Sequence, residues 1–216
     1  MSADLVHTLP IAQRLALSYA PRRARDAVLS LMALEQRLAG ILRQGGEPVI
    51  AQMKLAWWRE MLAKPPGEWP MGEPLLAFFH NWPGEVAQLI DVVDGWEVLL
   101  GEELDEAALG NFAAGRAAGW LTLAKCFQVD HQGVEKAAGE WALHDLFLHV
   151  APAAERDALH TKLMSLAWQT PHVARPLRPL AVLHGLAKRS LRRNGAELLD
   201  SPSAMLLAAR LGILGR

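Results

Sequence analysis

The sequence predicts an all-α protein, and composition and periodicity both support this. Alanine and leucine supply 72 of the 216 residues, whereas valine, isoleucine and threonine together supply 21. Because β-branched side chains favour strands and the others favour helices, the balance argues against a sandwich, a barrel or a doubly wound sheet. Apolar residues also recur at three- and four-residue spacings. We expect a single domain over residues 1–216, a compact bundle of nine or ten helices.

Prolines and glycines mark where these helices begin and end. Pro10 and Pro21 each suit the first turn of a helix, and Gly45 with Gly46 suits the end of the second one. The proline-rich stretch 64–74 predicts an exposed loop. In order, the predicted helices cover residues 11–20, 21–44, 47–63, 74–81, 84–101, 104–129, 133–150, 152–169, 177–193 and 202–213.

Apolar spacing predicts which helix faces are buried. The helix over 21–44 presents Val28, Leu31, Leu34, Leu38, Ile41 and Leu42 on one face. The next helix presents the stripe Ile50, Met53, Trp57 and Met61. We expect Leu38 and Trp57 to pack between these two helices. In the segment FAAGRAAGW, Gly115 and Gly119 lie four residues apart, which predicts a close helix–helix approach.

Cysteine content and charge restrict the compartment and the partners. The lone Cys126 can form neither an internal disulfide nor a multi-cysteine zinc site, so we expect a reducing, cytoplasmic location. We find no secretory leader pattern and no apolar stretch long enough to span a membrane. A net charge of −1 gives no reason to expect nucleic acid as a partner.

The near-zero net charge conceals a gradient along the chain. Residues 1–63 carry +3, residues 64–150 carry −10 and residues 151–216 carry +6. Acidic and basic helices could pair within one fold. Alternatively, the basic last third could face an anionic partner or the inner face of a membrane as a peripheral contact.

Sequence motifs for common catalytic sites are missing. No nucleotide-binding glycine loop, nucleophile elbow or HExxH motif occurs. His144 and His149 flank Asp145, but without further converging ligands we expect helix-surface histidines rather than a metal site.

Several segments nevertheless resemble those of the squalene/phytoene synthase family. The most specific is EPVIAQMKLAWWREML, similar to the family helix with an LxWWRExL pattern. The others are RDAVLSLMALEQRLAGIL, LIDVVDGWEVLL with FAAGRAAGWLTLA, GEWALHDLFLHV and RPLRPLAVLHGLAKRSLRR. The resemblance covers about residues 10–195. It implies an all-α isoprenoid synthase bundle around a central cavity, which joins two prenyl diphosphates with Mg²⁺ held by DxxxD motifs on two facing helices.

The sequence departs from that family at the positions that carry the chemistry. Ala39 and Arg43 stand at the first aspartate pair, His149 and Ala153 at the second, and Leu99 at a further acidic position. The resemblance therefore implies that these five residues line the cavity. A hard ion such as Mg²⁺ needs oxygen ligands, which these side chains do not supply.

Four carboxylates remain as a possible residual polar site. Glu35 and Asp145 lie nearest to the two motifs, and neither has an acidic residue at i+4. Asp91 and Asp94 form the best remaining acidic pair. We expect no metal and no cofactor, with Mg²⁺ only if the chain is an active enzyme.

Three hypotheses follow for the function. The favoured one is a degenerate family member, similar to the mitochondrial branch that assists complex I assembly, which binds a prenyl diphosphate, another lipid or a protein partner without prenyl transfer. The second is an active prenyl transferase that uses carboxylates elsewhere. The third is an unrelated helical bundle.

Overall fold

The computed structural model describes residues 2–44, 47–101, 103–130, 133–169 and 171–215, which form eleven α-helices and no strand. Helices contain 75% of these residues, so the all-α prediction is confirmed. The helices are α1 (Ser2–Thr8), α2 (Ile11–Ser18), α3 (Arg22–Arg43), α4 (Pro48–Ala63), α5 (Pro74–Phe79), α6 (Ile90–Glu97), α7 (Glu106–Cys126), α8 (Val134–His149), α9 (Ala153–Ser165), α10 (Arg178–Leu191) and α11 (Pro202–Leu214). None of the described helices is long and apolar enough to cross a membrane.

All ten predicted helices are present, and two details differ. Helix α1 was not predicted, because its seven residues give no clear periodic pattern and it lacks the first-turn proline that marks the similarly short α5, yet its Leu5 is buried in the core. The segment predicted as one helix over 84–101 contains α6 between two short 3-10 helices, Val86–Leu89 and Val98–Leu100. The glycines predicted to end α3, Gly45 and Gly46, lie outside the described residues.

The predicted buried stripe of α4 is confirmed at Met61, but elsewhere the buried face is shifted by about one residue. Leu38 of α3 is fully buried as predicted, but Trp57 is only half-buried and its neighbour Trp58 enters the core. Ile50 and Met53 of the predicted stripe are exposed. Adjacent residues point about 100° apart on a helix, and either tryptophan could complete an apolar face. Periodicity alone therefore could not predict which of the two is buried.

Helix α7 is the centre of the bundle, packed between α6 and α8. Its approach to α6 depends on a pair of glycines: a Cβ on Gly115 would lie 2.5 Å from Cα of Gly95 and 2.7 Å from the carbonyl oxygen of Asp91. A Cβ on Gly119 would meet the Leu31 side chain of α3. The second half of the bundle is built on α10, which packs against α2, α8 and α11.

The glycine contact generates a stability prediction. Gly115→Ala should destabilise the protein by about 2 kcal/mol or more, because the added methyl meets backbone atoms that cannot rotate away. Urea denaturation at neutral pH would measure the change in the free energy of unfolding.

Gly110 in the same helix is the matched control, since a Cβ there meets nothing within 4 Å. Gly110→Ala should leave stability unchanged or raise it by up to about 1 kcal/mol, through the higher helix propensity of alanine. Equal effects of the two variants would contradict the close approach of α6 and α7.

Candidate functional site

A buried ion network joins three helices beside α6. Arg116 of α7 donates from Nε to Oε1 of Glu35 (2.9 Å) and from Nη2 to Oε2 (3.1 Å), a two-pronged contact with α3. Its Nη1 donates to Oδ2 of Asp145 on α8 at 2.8 Å. The Arg116 side chain is 1% exposed and that of Glu35 is 2% exposed. One guanidinium therefore links the two carboxylates that the sequence placed nearest to the two motifs.

Aromatic rings hold this guanidinium in place. Its central carbon lies 5.1 Å from the ring centre of Trp96 and 5.5 Å from that of Phe112, within the range of cation–π attraction. The two rings pack edge to face at 5.2 Å. Both rings are buried, so the guanidinium packs against aromatic side chains within the core.

The electrostatics keep Arg116 charged. Burial alone would lower the pKa of Arg116, but the attraction and hydrogen bonds of Glu35 and Asp145 reverse this and raise it. Burial raises the pKa of the Glu35 carboxyl, and Arg116 opposes that rise. Arg116 supplies a permanent cation between the two acidic groups.

A pocket of about 620 Å³ borders the network. Asp145 and Trp96 belong to both the network and the pocket wall, so the ions lie beside the pocket. The wall is mainly apolar, and Arg43 and His149 are its exposed basic residues. The lining residues are Thr8, Leu9, Pro10, Gln36, Ala39, Leu42, Arg43, Trp96, Leu99, Asp145, Leu146 and His149.

The structure brings four of the five motif-position residues together at this pocket. Ala39 and Arg43 reach it from α3, Leu99 from the 3-10 helix after α6, and His149 from the end of α8. Ala153 is not in the lining: it is exposed in the first turn of α9. Helix α8 ends at His149, so the helical i,i+4 relation that placed Ala153 on the same face does not exist.

The four candidate carboxylates separate into two groups. Glu35 and Asp145 meet through Arg116, as described above. Asp94 instead forms a surface ion pair with Arg59, which also contacts Oε2 of Glu97 at 2.5 Å, and Asp91 is exposed on α6. A residual polar site therefore has two of the four residues, with Arg116 between them.

The donor set does not fit Mg²⁺. Glu35 is fully engaged by a guanidinium, and Arg43 adds a second positive charge at the pocket. Among the residues that the structure describes, no group of three or more His, Cys, Asp or Glu side chains is arranged to hold a metal ion.

A second buried polar cluster lies between α8 and α10. Nε2 of His184 and Oε2 of Glu140 are 2.6 Å apart, and Trp168 packs against the imidazoles of both His184 and His144. Both ring nitrogens of His144 are buried without a hydrogen-bond partner among the described residues. Contrary to the helix-surface expectation, His144 faces the core, whereas His149 is exposed.

Comparison with known proteins finds no counterpart for this arrangement. No family model, no curated protein and no solved structure matches the chain. The site is therefore interpreted from its own geometry.

Sequence reasoning missed Arg116 and Trp96, which complete the site. A signal for Arg116 was present: it is the single charged residue in the run AALGNFAAGRAAGWLTLA, flanked by small residues. A charge in such a surrounding indicates a buried partner, but the sequence does not say which one.

The network generates a second stability prediction. Arg116→Met should destabilise the protein by about 3–5 kcal/mol, because it leaves Glu35 buried without its counter-ion. Arg59→Met is the matched control: Arg59 also contacts two carboxylates, but its side chain is 33% exposed, and an exposed pair contributes about 1 kcal/mol or less. Chemical denaturation of both variants would measure the difference, and equal losses would contradict the role given to Arg116.

The burial of His144 predicts how the stability of the protein depends on pH. Burial lowers the pKa of His144 to about 4, with Asp145 opposing the shift. Between about pH 6.5 and pH 4 the unfolded chain binds a proton at this residue and the folded protein does not. Stability should thus fall as the pH falls through this window, by about 3 kcal/mol in total from this residue.

His144→Leu should reduce the loss of unfolding free energy between neutral pH and about pH 4. His172→Gln, which changes an exposed loop histidine, should not. Urea denaturation at several pH values across this range would measure the unfolding free energy of both variants. If His144→Leu loses as much of it between neutral pH and about pH 4 as the unmodified protein does, the assignment is wrong.

Proposed function

We propose that this chain is a squalene/phytoene synthase-like bundle that binds a lipid with an anionic head, such as a prenyl diphosphate, without metal-dependent turnover. The observation that carries the proposal is Arg116 placed between Glu35 and Asp145, beside a pocket lined by Ala39 and Arg43. The family relationship belongs to the proposal and rests on the sequence resemblance.

The proposal depends first on what the site lacks for prenyl transfer. Departure of diphosphate needs its developing charge to be stabilised, which the family chemistry does with Mg²⁺ on carboxylates. Here the carboxylates from α3 and α8 both accept hydrogen bonds from one guanidinium of the same chain, which engages the oxygens that a metal would need. No described cluster offers the oxygen ligands that would make Mg²⁺ a resident cofactor.

It depends second on what the pocket offers a ligand. Leu42, Leu99 and Leu146 supply an apolar wall, which favours a hydrocarbon chain. Arg43 is exposed at the same pocket and can pair with phosphate oxygens through two parallel hydrogen bonds. His149 lines the same pocket from α8, and its Nδ1 is 2.7 Å from the backbone oxygen of Asp145. Binding of an anionic head therefore does not require a metal.

An assembly role with a protein partner is a second candidate, favoured by the face of α4. Val49, Ile50 and Met53 are all at least half exposed. A groove of about 640 Å³ between α3 and α4 has Trp57 and Trp58 in its wall. Such a groove suits an amphipathic helix of a partner.

A cytoplasmic location with peripheral contact to the inner face of a membrane completes the proposal. The lone Cys126 and the basic last third of the chain support it.

Calorimetric titration with farnesyl diphosphate tests the proposed binding. We expect saturable binding that persists in EDTA, and no release of diphosphate when Mg²⁺ is added. Arg43→Glu should weaken binding by about tenfold or more, through loss of a charge-assisted contact and repulsion. Arg23→Glu, at the exposed opposite end of α3, is the matched control and should bind as the unmodified protein does.

Farnesol, which has the same hydrocarbon chain but lacks the diphosphate, tests whether the pocket recognises the head or the tail of the ligand. It should bind more weakly and be insensitive to Arg43→Glu. Metal-dependent product formation would replace the proposal with the active prenyl transferase. Binding unaffected by Arg43→Glu would show that the pocket beside Arg116 is not the site.

A further inference from the structure

The outward face of α11 is apolar, although it is not covered by the described part of the chain. Ala204, Ala208 and Leu211 face inward against the bundle. On the opposite side Leu206 is 72% exposed and Ile213 is 61% exposed, and Met205 and Leu214 are exposed beside them. A surface helix of a soluble bundle normally has a polar outer face, so this face is suited to an apolar surrounding.

Basic side chains border this apolar face. A shallow pocket of about 430 Å³ between α10 and α11 is lined by cations from both helices together with Ser203. The lining cations are Lys188, Arg189, Arg192, Arg193 and Arg210.

Only some of these cations are neutralised within the chain. Arg189 and Arg193 both pair with Asp200, at 2.6 Å and 3.1 Å. Lys188, Arg192 and Arg210 form no ion pair with any residue that the structure describes. This face therefore carries an uncompensated positive charge directly beside exposed hydrocarbon.

Other basic residues behave differently. Lys162 pairs with Glu106, Arg37 with Glu73, and Arg59 with Asp94 and Glu97. Part of the charge gradient along the sequence therefore corresponds to ion pairs within the bundle. Part of the excess positive charge of the last third lies on α10, just beyond its C-terminal end and on α11. The two explanations of the gradient thus apply to different residues.

The exposed apolar side chains of α11 and the cations at the pocket between α10 and α11 together form the α10–α11 face. We infer that this face docks onto an anionic phospholipid surface. The apolar side chains of α11 enter the boundary between headgroups and acyl chains, while Lys188, Arg192 and Arg210 contact lipid phosphates. The helix lies in the plane of the membrane and does not cross it, since no described helix can span a bilayer. Nucleic acid fits this face less well, because a phosphate backbone does not cover exposed leucine and isoleucine.

This inference rests on the membrane contact in the proposed function and names the face that makes it. The face is separate from the pocket beside Arg116, so a loss of vesicle binding and a loss of farnesyl diphosphate binding can be told apart. The test is sedimentation of the full chain with vesicles of phosphatidylcholine alone or of equimolar phosphatidylglycerol and phosphatidylcholine. We expect binding to the anionic vesicles, weakening as salt is added, and little binding to the neutral ones. No binding to anionic vesicles, or equal binding to both, would overturn the inference.

Surface variants locate the contact. Arg192→Gln with Arg210→Gln should lower the partition coefficient by about 25-fold, since each cation near an anionic surface contributes roughly a fivefold factor. Leu206→Gln with Ile213→Gln should lower it by at least tenfold. All four side chains are exposed, so these variants should fold normally, which circular dichroism and thermal melting would verify.

Matched controls remove equivalent groups elsewhere. Ile50→Gln with Met53→Gln removes two exposed apolar side chains from α4, and Arg22→Gln with Arg23→Gln removes two exposed cations from α3. Both should bind anionic vesicles like the unmodified chain. If the controls lose as much binding as the α10–α11 variants, the assignment to this face is wrong.

Two further outcomes also count against the inference. One is that the unmodified chain does not bind vesicles but forms a dimer, which Leu206→Gln with Ile213→Gln converts to a monomer. That result would make a second copy of the chain the occupant of this face. The other is tight binding of duplex DNA without vesicle binding, which would make the face a nucleic-acid surface. Arg43→Glu should leave vesicle binding unchanged whether or not it abolishes farnesyl diphosphate binding.

Discussion

The contact of Arg116 with Glu35 and Asp145 is the constraint on which the site depends. A buried ion network contributes little net stability compared with well-packed apolar groups, because its desolvation cost offsets the attraction. Its effect lies in the alternatives that it disfavours: any shift of α3, α7 or α8 that separates the three groups leaves a charge buried without a partner. The network therefore favours one mutual register for these helices.

The glycine contact between α6 and α7 makes this network possible. Gly95 and Gly115 let the two backbones approach closely, and Trp96 and Arg116, each the next residue along its helix, then pack against each other. A methyl group at either glycine would separate the ring from the guanidinium. Small residues thus position Arg116, the largest fully buried charged side chain among the described residues.

Charge is distributed in two ways across the chain. Arg37, Arg59 and Lys162, from the first and last thirds, pair with carboxylates of the acidic middle third. At the pocket Arg43, and on the α10–α11 face Lys188, Arg192 and Arg210, instead lie beside hydrocarbon without an ion pair to a described residue. Both places offer the same chemistry, an apolar surface with adjacent positive charge, which is complementary to anionic lipids.

The sequence by itself determined the class of the fold and the position of nearly every helix. Proline, glycine and apolar spacing act over a few neighbouring residues, so they are visible without the tertiary structure, and the buried Leu38 was found this way. The same local signals could not choose between Trp57 and Trp58, because either tryptophan satisfies the periodicity. They also missed α1, which is too short for a periodic pattern and has no first-turn proline such as the one that marks α5.

Only the tertiary structure decided the site. Glu35 and Arg116 are 81 residues apart in the chain, and the sequence around each residue does not indicate that the other is its partner. The end of α8 at His149 removed Ala153 from the pocket. The packing of α3, α6 and α8 around α7 brought Ala39, Arg43, Leu99 and His149 together. Pairing across helices depends on the mutual register of the whole bundle, which is a property of packing and not of any single segment.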